Sequence, residues 1–168
     1  MSCEMAELPV NILFIGDAAQ LYGDFGPANA TSQSAGFDLC AAFPLDSATG
    51  SGSPDLEFTV LPGERLLVPT GIAIEPLESG IAGFVYSRSG LGAAKGLTVA
   101  QGVGIIDPDY RGEILVYLLN TSSRPITLRR GDRIAQLVFQ YFFRPHWRRC
   151  ERLGDTERGT GGFGHTGQ

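Results

Sequence analysis

The sequence contains few of the residues that build disulfide and zinc sites. Its 168 residues include 3 cysteines and 2 histidines. The cysteines lie at positions 3, 40 and 150, and no Cys-x-x-Cys or Cys/His pair has the spacing of a zinc site. Widely spaced thiols in odd number are typical of a reducing compartment rather than of a disulfide framework.

Long apolar runs are also absent. The longest, residues 114–119, is much shorter than the roughly 20 residues that a transmembrane helix requires. Residues 1–9 are acidic and have neither the basic start nor the apolar stretch of a signal peptide. We therefore expect a soluble, intracellular protein with no membrane partner, in either the nucleus or the cytoplasm.

Positive charge is scarce and comes almost entirely from arginine. The chain has 13 Lys and Arg residues against 18 Asp and Glu, a formal net charge of −5. This acidity argues against stable binding to nucleic acid. Lys95 is the only lysine. One explanation for this preference is coding bias. The other is that some arginines hold phosphates or carboxylates through bidentate hydrogen bonds.

Glycine is the residue in excess, with 23 in 168, against a usual share of about 7%. No Gly-X-Y period is present, which excludes collagen, and a hydrophobic content of 43% is too high for a disordered chain. The length suits one domain with a real core. Glycine at this level indicates many tight turns, close approach of the backbone to a ligand, or both.

Short apolar segments recur along the chain, and helical signal is nearly absent. They cover residues 10–15, 37–43, 56–61, 65–69, 72–75, 81–86, 112–120, 126–128 and 133–143. Turn residues such as Pro62-Gly63 separate them, which predicts an all-β sandwich or barrel with at most one short helix, at Ser89–Lys95. Both faces of segment 114–119 are apolar, which favours burial by the core on one side and by another subunit on the other.

Two segments have the composition of loops. Residues 47–54 are rich in Ser and Gly and predict a surface loop between strands. Residues 154–168 are glycine-rich with almost no apolar content, so they cannot build a core of their own. We predict a single β domain over residues 1–153 and a flexible C-terminal arm over residues 154–168.

The arm contains a formal Gly-x-Gly-x-x-Gly pattern at residues 159–164. A dinucleotide fold requires a strand before this pattern and a helix after it, and neither is predicted here. Its glycine N–H groups can still wrap an anion, with Arg158 adding a cation and Thr166 a hydroxyl. Phe163 can stack on a base. The alternative is a solvated terminus without a site.

A second candidate is the segment at residues 102–112, where two carboxylates, a tyrosine and an arginine crowd a turn just after a short apolar strand. Pro108 stiffens this turn. A carboxylate fixed there, such as Asp107, is a plausible general base. An ordinary polar hairpin turn remains the alternative, because Asp and Pro are common turn formers.

Three further segments carry weaker signals. Residues 87–92 suit a phosphate at the start of a helical turn, or a simple helix cap by Ser87 or Ser89. In residues 129–138, Asp132 and Arg133 predict a structural ion pair or a turn cap. Gln136 is a polar residue inside an apolar strand, so its side chain needs a hydrogen-bond partner. The third segment, Ala-Gly-Phe-Asp-Leu at 35–39, places an acid at the entry of an early strand.

Taken together, the five segments resemble the motifs of the trimeric dUTPase family, the deoxyuridine triphosphate nucleotidohydrolases. In chain order they are Ala-Gly-Phe-Asp-Leu at 35–39, Arg-Ser-Gly-Leu-Gly at 88–92, Gly-Ile-Ile-Asp-Pro-Asp-Tyr-Arg-Gly at 104–112, Arg-Gly-Asp-Arg-Ile-Ala-Gln-Leu-Val at 130–138, and Arg-Gly-Thr-Gly-Gly-Phe-Gly-His-Thr-Gly at 158–167. Each motif is short, but all five in order are highly specific.

The resemblance implies a distorted jelly-roll of the dUTPase β-clip type that assembles as a homotrimer. It implies active sites at subunit interfaces, with the arm of one subunit closing over a site built by the other two. The implied reaction is hydrolysis of dUTP to dUMP and pyrophosphate with Mg²⁺.

The resemblance also implies roles for individual residues. Asp107 activates the attacking water, Tyr110 packs on deoxyribose and excludes a 2′-hydroxyl, and Asp38 helps order the metal through water. The phosphates are held by Arg88, Ser89, Gly90 and Gln136.

The base and the arm have implied residues of their own. The uracil is read by Gln101, Gly102, Gly104, Ile105 and Ile106. In the arm, Arg158 contacts the phosphates and Phe163 stacks over uracil, and the remaining substrate-binding residues are Gly164, His165 and Thr166. The chain departs from many relatives at Gln101, where Asn is common, and at Ser87, where Pro or Gly is more usual.

Two other functions share this fold. One is a binding or signalling module with reduced catalysis, whose signature is the loss of motifs, and this chain keeps them. The other is the related dCTP deaminase, but the Asp-Tyr turn and the Phe-bearing arm favour dUTP.

Overall fold

The structure is a computed structural model that describes residues 7–23, 26–43 and 57–161. The predicted loop at 47–54 lies outside these residues. So do Phe163, Gly164, His165 and Thr166 of the arm.

The architecture is mostly β, as the sequence predicts. The elements in chain order are β1 (Val10–Phe14), α1 (Ala19–Tyr22), β2 (Phe37–Cys40), β3 (Glu57–Val60), β4 (Arg65–Pro69), β5 (Ile72–Pro76), β6 (Ile81–Tyr86), α2 (Ser89–Lys95), β7 (Leu97–Val99), β8 (Val103–Ile106), β9 (Leu115–Asn120), β10 (Ile126–Arg129) and β11 (Arg133–Tyr141). The predicted helix is present as α2. A second helix, α1, exceeds the predicted maximum of one.

The additional helix α1 has only four residues, too few for a helical period to show in the sequence. Tertiary contacts hold it in place. The Tyr22 hydroxyl donates to the Thr70 carbonyl at 2.8 Å and accepts from the Cys40 amide at 2.9 Å. Burial raises the pKa of Tyr22 well above its usual value, so the phenol stays neutral. The contact fixes α1 against the end of β2, two residues from Asp38.

The strands pair only in antiparallel fashion in the part of the chain that the structure describes. A four-stranded sheet has the order β2-β11-β6-β8 and a three-stranded sheet the order β4-β9-β7. Two pairs, β1-β5 and β10-β3, complete the architecture. The four-stranded sheet is the one that matters for function, because it joins four of the five motif segments.

The core lies between these sheets and follows the alternation of the strands. Its fully buried large side chains include Leu39, Ile72, Leu97, Ile114, Leu118 and Ile134. On β9, Val116 and Leu118 face the core, whereas Leu115 and Tyr117 are 46% and 49% exposed. The predicted inner face of this strand is therefore confirmed, and its outer face is an apolar surface in the single chain.

Gly71 is the glycine whose replacement the fold tolerates least. Its φ is +71°, and a Cβ there would lie 2.3 Å from the Cβ of Ala18 and 2.9 Å from that of Ala42. We expect Gly71→Ala to lower the free energy of unfolding by about 2–4 kcal/mol, from backbone strain and overpacking together. Urea denaturation measures this value.

Gly63→Ala is the matched control. Gly63 has a similar φ of +79°, but a Cβ there meets nothing within 4 Å. It should therefore show the backbone strain alone, about 1–2 kcal/mol. Equal losses in the two variants would rule out crowding between Gly71 and Ala18.

Candidate active site

The strongest candidate site is the turn that follows β8. Asp107 begins the turn, and the amide of Tyr110 donates to the Asp107 carbonyl at 3.0 Å. The Asp107 side chain is exposed. An open pocket of about 220 Å³ is lined by Ile105, Ile106, Asp107, Tyr110, Glu113 and Leu115. The predicted base and the predicted sugar-contacting tyrosine thus share one pocket with the end of β8.

Tyr110 is held in this pocket from two sides. Its hydroxyl donates to the Glu113 carbonyl at 3.0 Å. Its ring covers Gly112, where a Cβ would lie 2.4 Å from the Tyr110 hydroxyl oxygen. The glycine of this motif is therefore required by the close approach of the ring. The ring is 43% exposed, which leaves a face for a ligand.

Strand β8 is an edge strand within the described part of the four-stranded sheet. It pairs with β6 from Tyr86↔Val103 to Gly83↔Ile106. Successive backbone groups of a strand alternate in direction, so half of those on β8 point away from β6. Ile105 is 62% exposed, and Gly104 is buried, with the Gln101 amide nitrogen 3.4 Å from where its Cβ would be. Of the predicted base-reading residues, Gly104, Ile105 and Ile106 lie on this edge strand, and Gln101 and Gly102 lie in the turn that leads into it.

A cluster of charged side chains forms at the other end of the β6–β8 ladder. Arg88 Nε contacts Asp38 Oδ1 at 2.6 Å, and Arg133 Nη1 donates to Asp38 Oδ2 at 3.0 Å. Arg88 Nη1 also donates to the carbonyl of Arg133 at 3.0 Å. Asp38 thus joins two guanidinium groups, and Arg88 is fixed through two of its nitrogens.

Gln136 connects three motif segments at this cluster. Its amide nitrogen donates to the Ser87 carbonyl at 3.0 Å, and this is the hydrogen-bond partner that the sequence predicts for Gln136. On the other side it packs on Gly36, where a Cβ would lie 2.5 Å from the Gln136 amide oxygen. Strands β2 and β11 pair here, with Gln136 opposite Asp38. The structure therefore brings the segments at 35–39, 87–92 and 130–138 together.

The serines at the start of α2 do not cap it. Arg88 occupies the N-cap position with extended backbone, and no side chain caps the helix. The Ser87 hydroxyl instead accepts from the Val99 amide at 2.8 Å. Ser89 and Gly90 are exposed, and a Cβ at Gly90 would meet nothing within 4 Å. The alternative that Ser87 or Ser89 caps the helix is therefore wrong. The hydrogen-bond donors of Ser89 and Gly90 remain accessible beside Arg88.

Arg133 is the residue of this cluster that the sequence missed. The sequence predicted that Asp132 and Arg133 form an ion pair or a turn cap. Asp132 is a turn cap, because its Oδ2 accepts from the Arg129 amide at 2.8 Å. Arg133 pairs across the sheet with Asp38, 95 residues away. Only the pairing of β2 with β11 shows this contact.

A sequence model of the dUTPase family matches residues 26–167. The chain belongs to the dUTPase family. Deoxyuridine 5'-triphosphate nucleotidohydrolase of Desulfitobacterium hafniense is 45% identical over 141 residues, which are 84% of this chain and 86% of that protein. The corresponding protein of Shewanella oneidensis is 42% identical over the same shares of the two chains.

Solved dUTPase structures have the same fold. The dUTPase of Streptococcus mutans is 27% identical, with a TM-score of 0.62 over 81% of this chain and 98% of that one. The dUTPase of Staphylococcus bacteriophage 80alpha, solved with dUpNHpp, has a TM-score of 0.72 at 20% identity over 95% of this chain and 99% of that one. Together with the strand order, they confirm the predicted jelly-roll-like dUTPase fold.

The described residues of the predicted arm, 154–161, lie on the surface. Residues 143–160 are all exposed. Arg158 Nε donates to the Gly161 carbonyl at 2.9 Å, only three residues away. The predicted roles of Phe163, Gly164, His165 and Thr166 concern residues outside the described chain.

The donor set limits how this dUTPase can hold a metal. No group of three or more His, Cys, Asp or Glu side chains in the described ranges forms a metal cage. Both oxygens of Asp38 are paired with arginine. Mg²⁺ commonly keeps several waters and binds substrate phosphates with one or two carboxylates. The residues present therefore fit a magnesium ion carried mainly by a polyphosphate, rather than one held directly by Asp38.

No helix in the described residues is long and apolar enough to cross a membrane.

Proposed function

We propose that the protein hydrolyses dUTP to dUMP and pyrophosphate in the presence of Mg²⁺. The observation that carries this proposal is the pocket after β8, where Asp107 and Tyr110 lie together in a chain of the dUTPase family. In a cell this reaction limits the incorporation of uracil into DNA and supplies dUMP for dTMP synthesis.

Asp107 is the general base of the proposed reaction. Its carboxylate takes a proton from a water molecule, and the water oxygen forms a bond to the α-phosphorus. The bond from that phosphorus to the oxygen bridging toward the β-phosphorus breaks, and pyrophosphate leaves. The exposed position of the Asp107 side chain, fixed by a rigid turn, supports this role.

The charged cluster holds the triphosphate. Arg88 is oriented by Asp38 and by the carbonyl of Arg133, so its remaining N–H donors are fixed before substrate arrives. Ser89 and Gly90 add exposed donors, and Gln136 supports the loop through the Ser87 carbonyl. Mg²⁺ bound to the triphosphate would supply charge neutralisation, and these residues would orient the phosphates.

The edge of β8 reads the base, and Tyr110 reads the sugar. The exposed backbone edge from Gln101 to Ile106 offers donors and acceptors for the polar side of uracil. In this proposal the base lies against the strand in a slot too narrow for a 5-methyl group. In this proposal the Tyr110 ring packs on the deoxyribose and takes the space that a 2′-hydroxyl would need, so ribonucleotides are rejected.

The position of the two half-sites supports a homotrimer with shared active sites. Arg88 follows the β6 end that pairs with Val103, whereas Asp107 follows the opposite end of β8. Strands rise about 3.3 Å per residue, so these ends of the ladder are about 10 Å apart before the flanking residues are added. A base from one subunit and a phosphate clamp from another would close this gap.

Exposed apolar residues support this assembly. Leu67, Leu115 and Tyr117 are 39%, 46% and 49% exposed on neighbouring strands β4 and β9. Such a contiguous apolar surface is typical of a subunit interface. The arm of a third subunit, residues 154–168 beyond the β domain at 1–153, then closes over the site with Arg158 on the phosphates and Phe163 on the base.

A panel of nucleoside triphosphates tests the proposed function. Purified protein is incubated with dUTP, UTP, dTTP or dCTP, with Mg²⁺ or with EDTA, and pyrophosphate and ammonia are measured. We expect dUTP to be the only one of the four that releases pyrophosphate, and to do so with Mg²⁺ but not with EDTA. Absence of pyrophosphate from dUTP would contradict the proposal and leave a binding module, and ammonia from dCTP would identify a deaminase.

Tyr110→Ala is expected to weaken discrimination between dUTP and UTP. Removing the ring opens the space for a 2′-hydroxyl, and an apolar wall of this kind accounts for roughly 10²-fold selectivity. The ratio of kcat/KM for dUTP to that for UTP should fall toward unity. Tyr110→Phe is the control, because it removes only the hydrogen bond to Glu113 and should keep the preference. An unchanged ratio in the alanine variant would exclude Tyr110 as the sugar gate.

A further inference from the structure

A hydrogen-bonded network outside the substrate-binding residues reaches the turn that carries Asp107. Its members are Asn11 on β1, Glu75 on β5 and Arg111, which directly follows Tyr110. Asn11 and Glu75 are opposite each other in the β1–β5 pair, and Asn11 Nδ2 donates to Glu75 Oε2 at 2.8 Å. The other oxygen, Glu75 Oε1, accepts from Arg111 Nη2 at 2.8 Å. Both carboxylate oxygens of Glu75 are thus fixed.

The same guanidinium holds the turn itself. Arg111 Nη1 donates to the Pro108 carbonyl at 2.7 Å and to the Tyr110 carbonyl at 3.2 Å. These two carbonyls lie within the segment from Asp107 to Tyr110. One planar group therefore connects the β1–β5 pair to the backbone between the proposed base and the proposed sugar gate.

We propose that Arg111, held by Glu75 and Asn11, is a positioning residue that fixes the turn presenting Asp107 and Tyr110 to the substrate. This inference rests on the proposed dUTP hydrolysis. It assigns no contact with substrate to Arg111, and its effect on the reaction passes through the backbone of the turn.

The chemistry of the network supports a geometric role. A guanidinium has five donors in a fixed plane, so it can bond to a carboxylate and two carbonyls at once, which a lysine ammonium cannot do with the same rigidity. The hydrogen bond from Asn11 and the nearby Arg111 charge lower the pKa of Glu75, so its carboxylate stays ionised at neutral pH. The carboxylate that anchors Arg111 is therefore charged at neutral pH.

The exposure of the Arg111 and Glu75 side chains indicates that their ion pair contributes little to stability. The side chains of Arg111 and Glu75 are 52% and 38% exposed. Exposed ion pairs contribute little to the free energy of folding. Breaking the network should therefore affect turnover more than it affects unfolding.

The chain offers a matched control pair. Arg129 and Glu57 form an exposed ion pair at 2.5 Å between β10 and β3, with side chains 67% and 40% exposed. Neither residue belongs to the proposed site. Arg129→Lys and Glu57→Gln thus reproduce the loss of an exposed Arg–Glu pair without touching the turn.

The kinetic experiment compares the two pairs in the full-length protein. For Arg111→Lys and Glu75→Gln we expect kcat for dUTP to fall by about 10- to 100-fold, the effect of a small misplacement of reacting groups. KM should change much less, and the preference for dUTP over UTP should weaken because Tyr110 moves with the turn. The control variants should keep kcat, with the same change in Tm as the test variants.

A charge-reversed double variant separates positioning from simple attraction. Glu75→Arg combined with Arg111→Glu restores opposite charges but leaves the Pro108 and Tyr110 carbonyls without donors. We expect its kcat to remain low. Recovery to the wild-type rate would show that only the ion pair matters and would overturn the proposal, as would an unchanged kcat in Arg111→Lys.

Hydrogen exchange gives a readout that does not depend on activity. The Tyr110 amide bonded to the Asp107 carbonyl should exchange faster in Arg111→Lys and keep its rate in Arg129→Lys. Unchanged exchange at residues 105–113 would overturn the positioning role. If the wild-type protein fails to hydrolyse dUTP, the proposed function falls, while this measurement still tests whether Arg111 holds the turn.

Discussion

Asp107→Asn is expected to lower kcat for dUTP by about 10²- to 10⁴-fold, the usual contribution of a general base. Asparagine has nearly the same shape as aspartate but cannot accept a proton from water. The turn itself should persist, because the Asp107 carbonyl that accepts from the Tyr110 amide belongs to the backbone. Single-turnover release of pyrophosphate measures the chemical step directly.

Asp109 provides the control within the same turn. It is a second exposed carboxylate two residues away, so Asp109→Asn makes the same change in charge. We expect this variant to keep most of its turnover, and both variants to bind the non-hydrolysable analogue dUpNHpp in a calorimetric titration. Retained turnover in Asp107→Asn would exclude it as the base, and an equal loss in Asp109→Asn would show that the charge of the turn matters rather than one proton acceptor.

The strand pattern was predictable wherever alternation and turn residues agree. The segments at 65–69 and 81–86 coincide with β4 and β6. The short strand β7 was not among the predicted segments, because it has only three residues and directly follows Gly96. Strand β8 was expected ahead of the Asp107 turn, although Gly104 lies within it. The strand conformation of β7 depends on pairing with β9, a tertiary effect that the local sequence does not show.

The candidate site was predictable as a set of residues but not as an arrangement. The motifs name Asp107 and Arg88, and nothing in the sequence shows that they follow opposite ends of the β6–β8 ladder. That placement depends on strand register. It is also the physical reason for expecting the site to need more than one subunit.

Charged partners distant in sequence were the least predictable feature. Arg133 stands next to Asp132, which suggested a local pair, yet it contacts Asp38. Arg111 contacts Glu75, 36 residues earlier. Both contacts cross between elements that meet only after the sheets have formed, so no local pattern distinguishes these arginines from the other exposed ones.

Ending the chain after Leu153 is expected to leave the assembly intact and to remove most of the activity. Residues 154–160, the described part of the arm before Gly161, are all exposed in the single chain, so losing them takes no buried side chain from the core. It removes Arg158, the proposed phosphate contact, and Phe163, the proposed cover of the base. We expect kcat/KM for dUTP to fall by about 100-fold or more, since a closing segment both orients the substrate and excludes water.

Sedimentation equilibrium measures the assembly, and pyrophosphate release measures the activity, on the same samples. Two single arginine variants locate the effect within the arm. Arg158→Ala should reproduce a large part of the loss, because it removes a fixed cation from the phosphates. Arg152→Ala should not, because Arg152 is exposed and pairs only weakly, at 3.8 Å, with Asp155 three residues away. Full activity in the truncated chain would show that the site closes without the arm, and loss of assembly would mean that the arm also holds the subunits together.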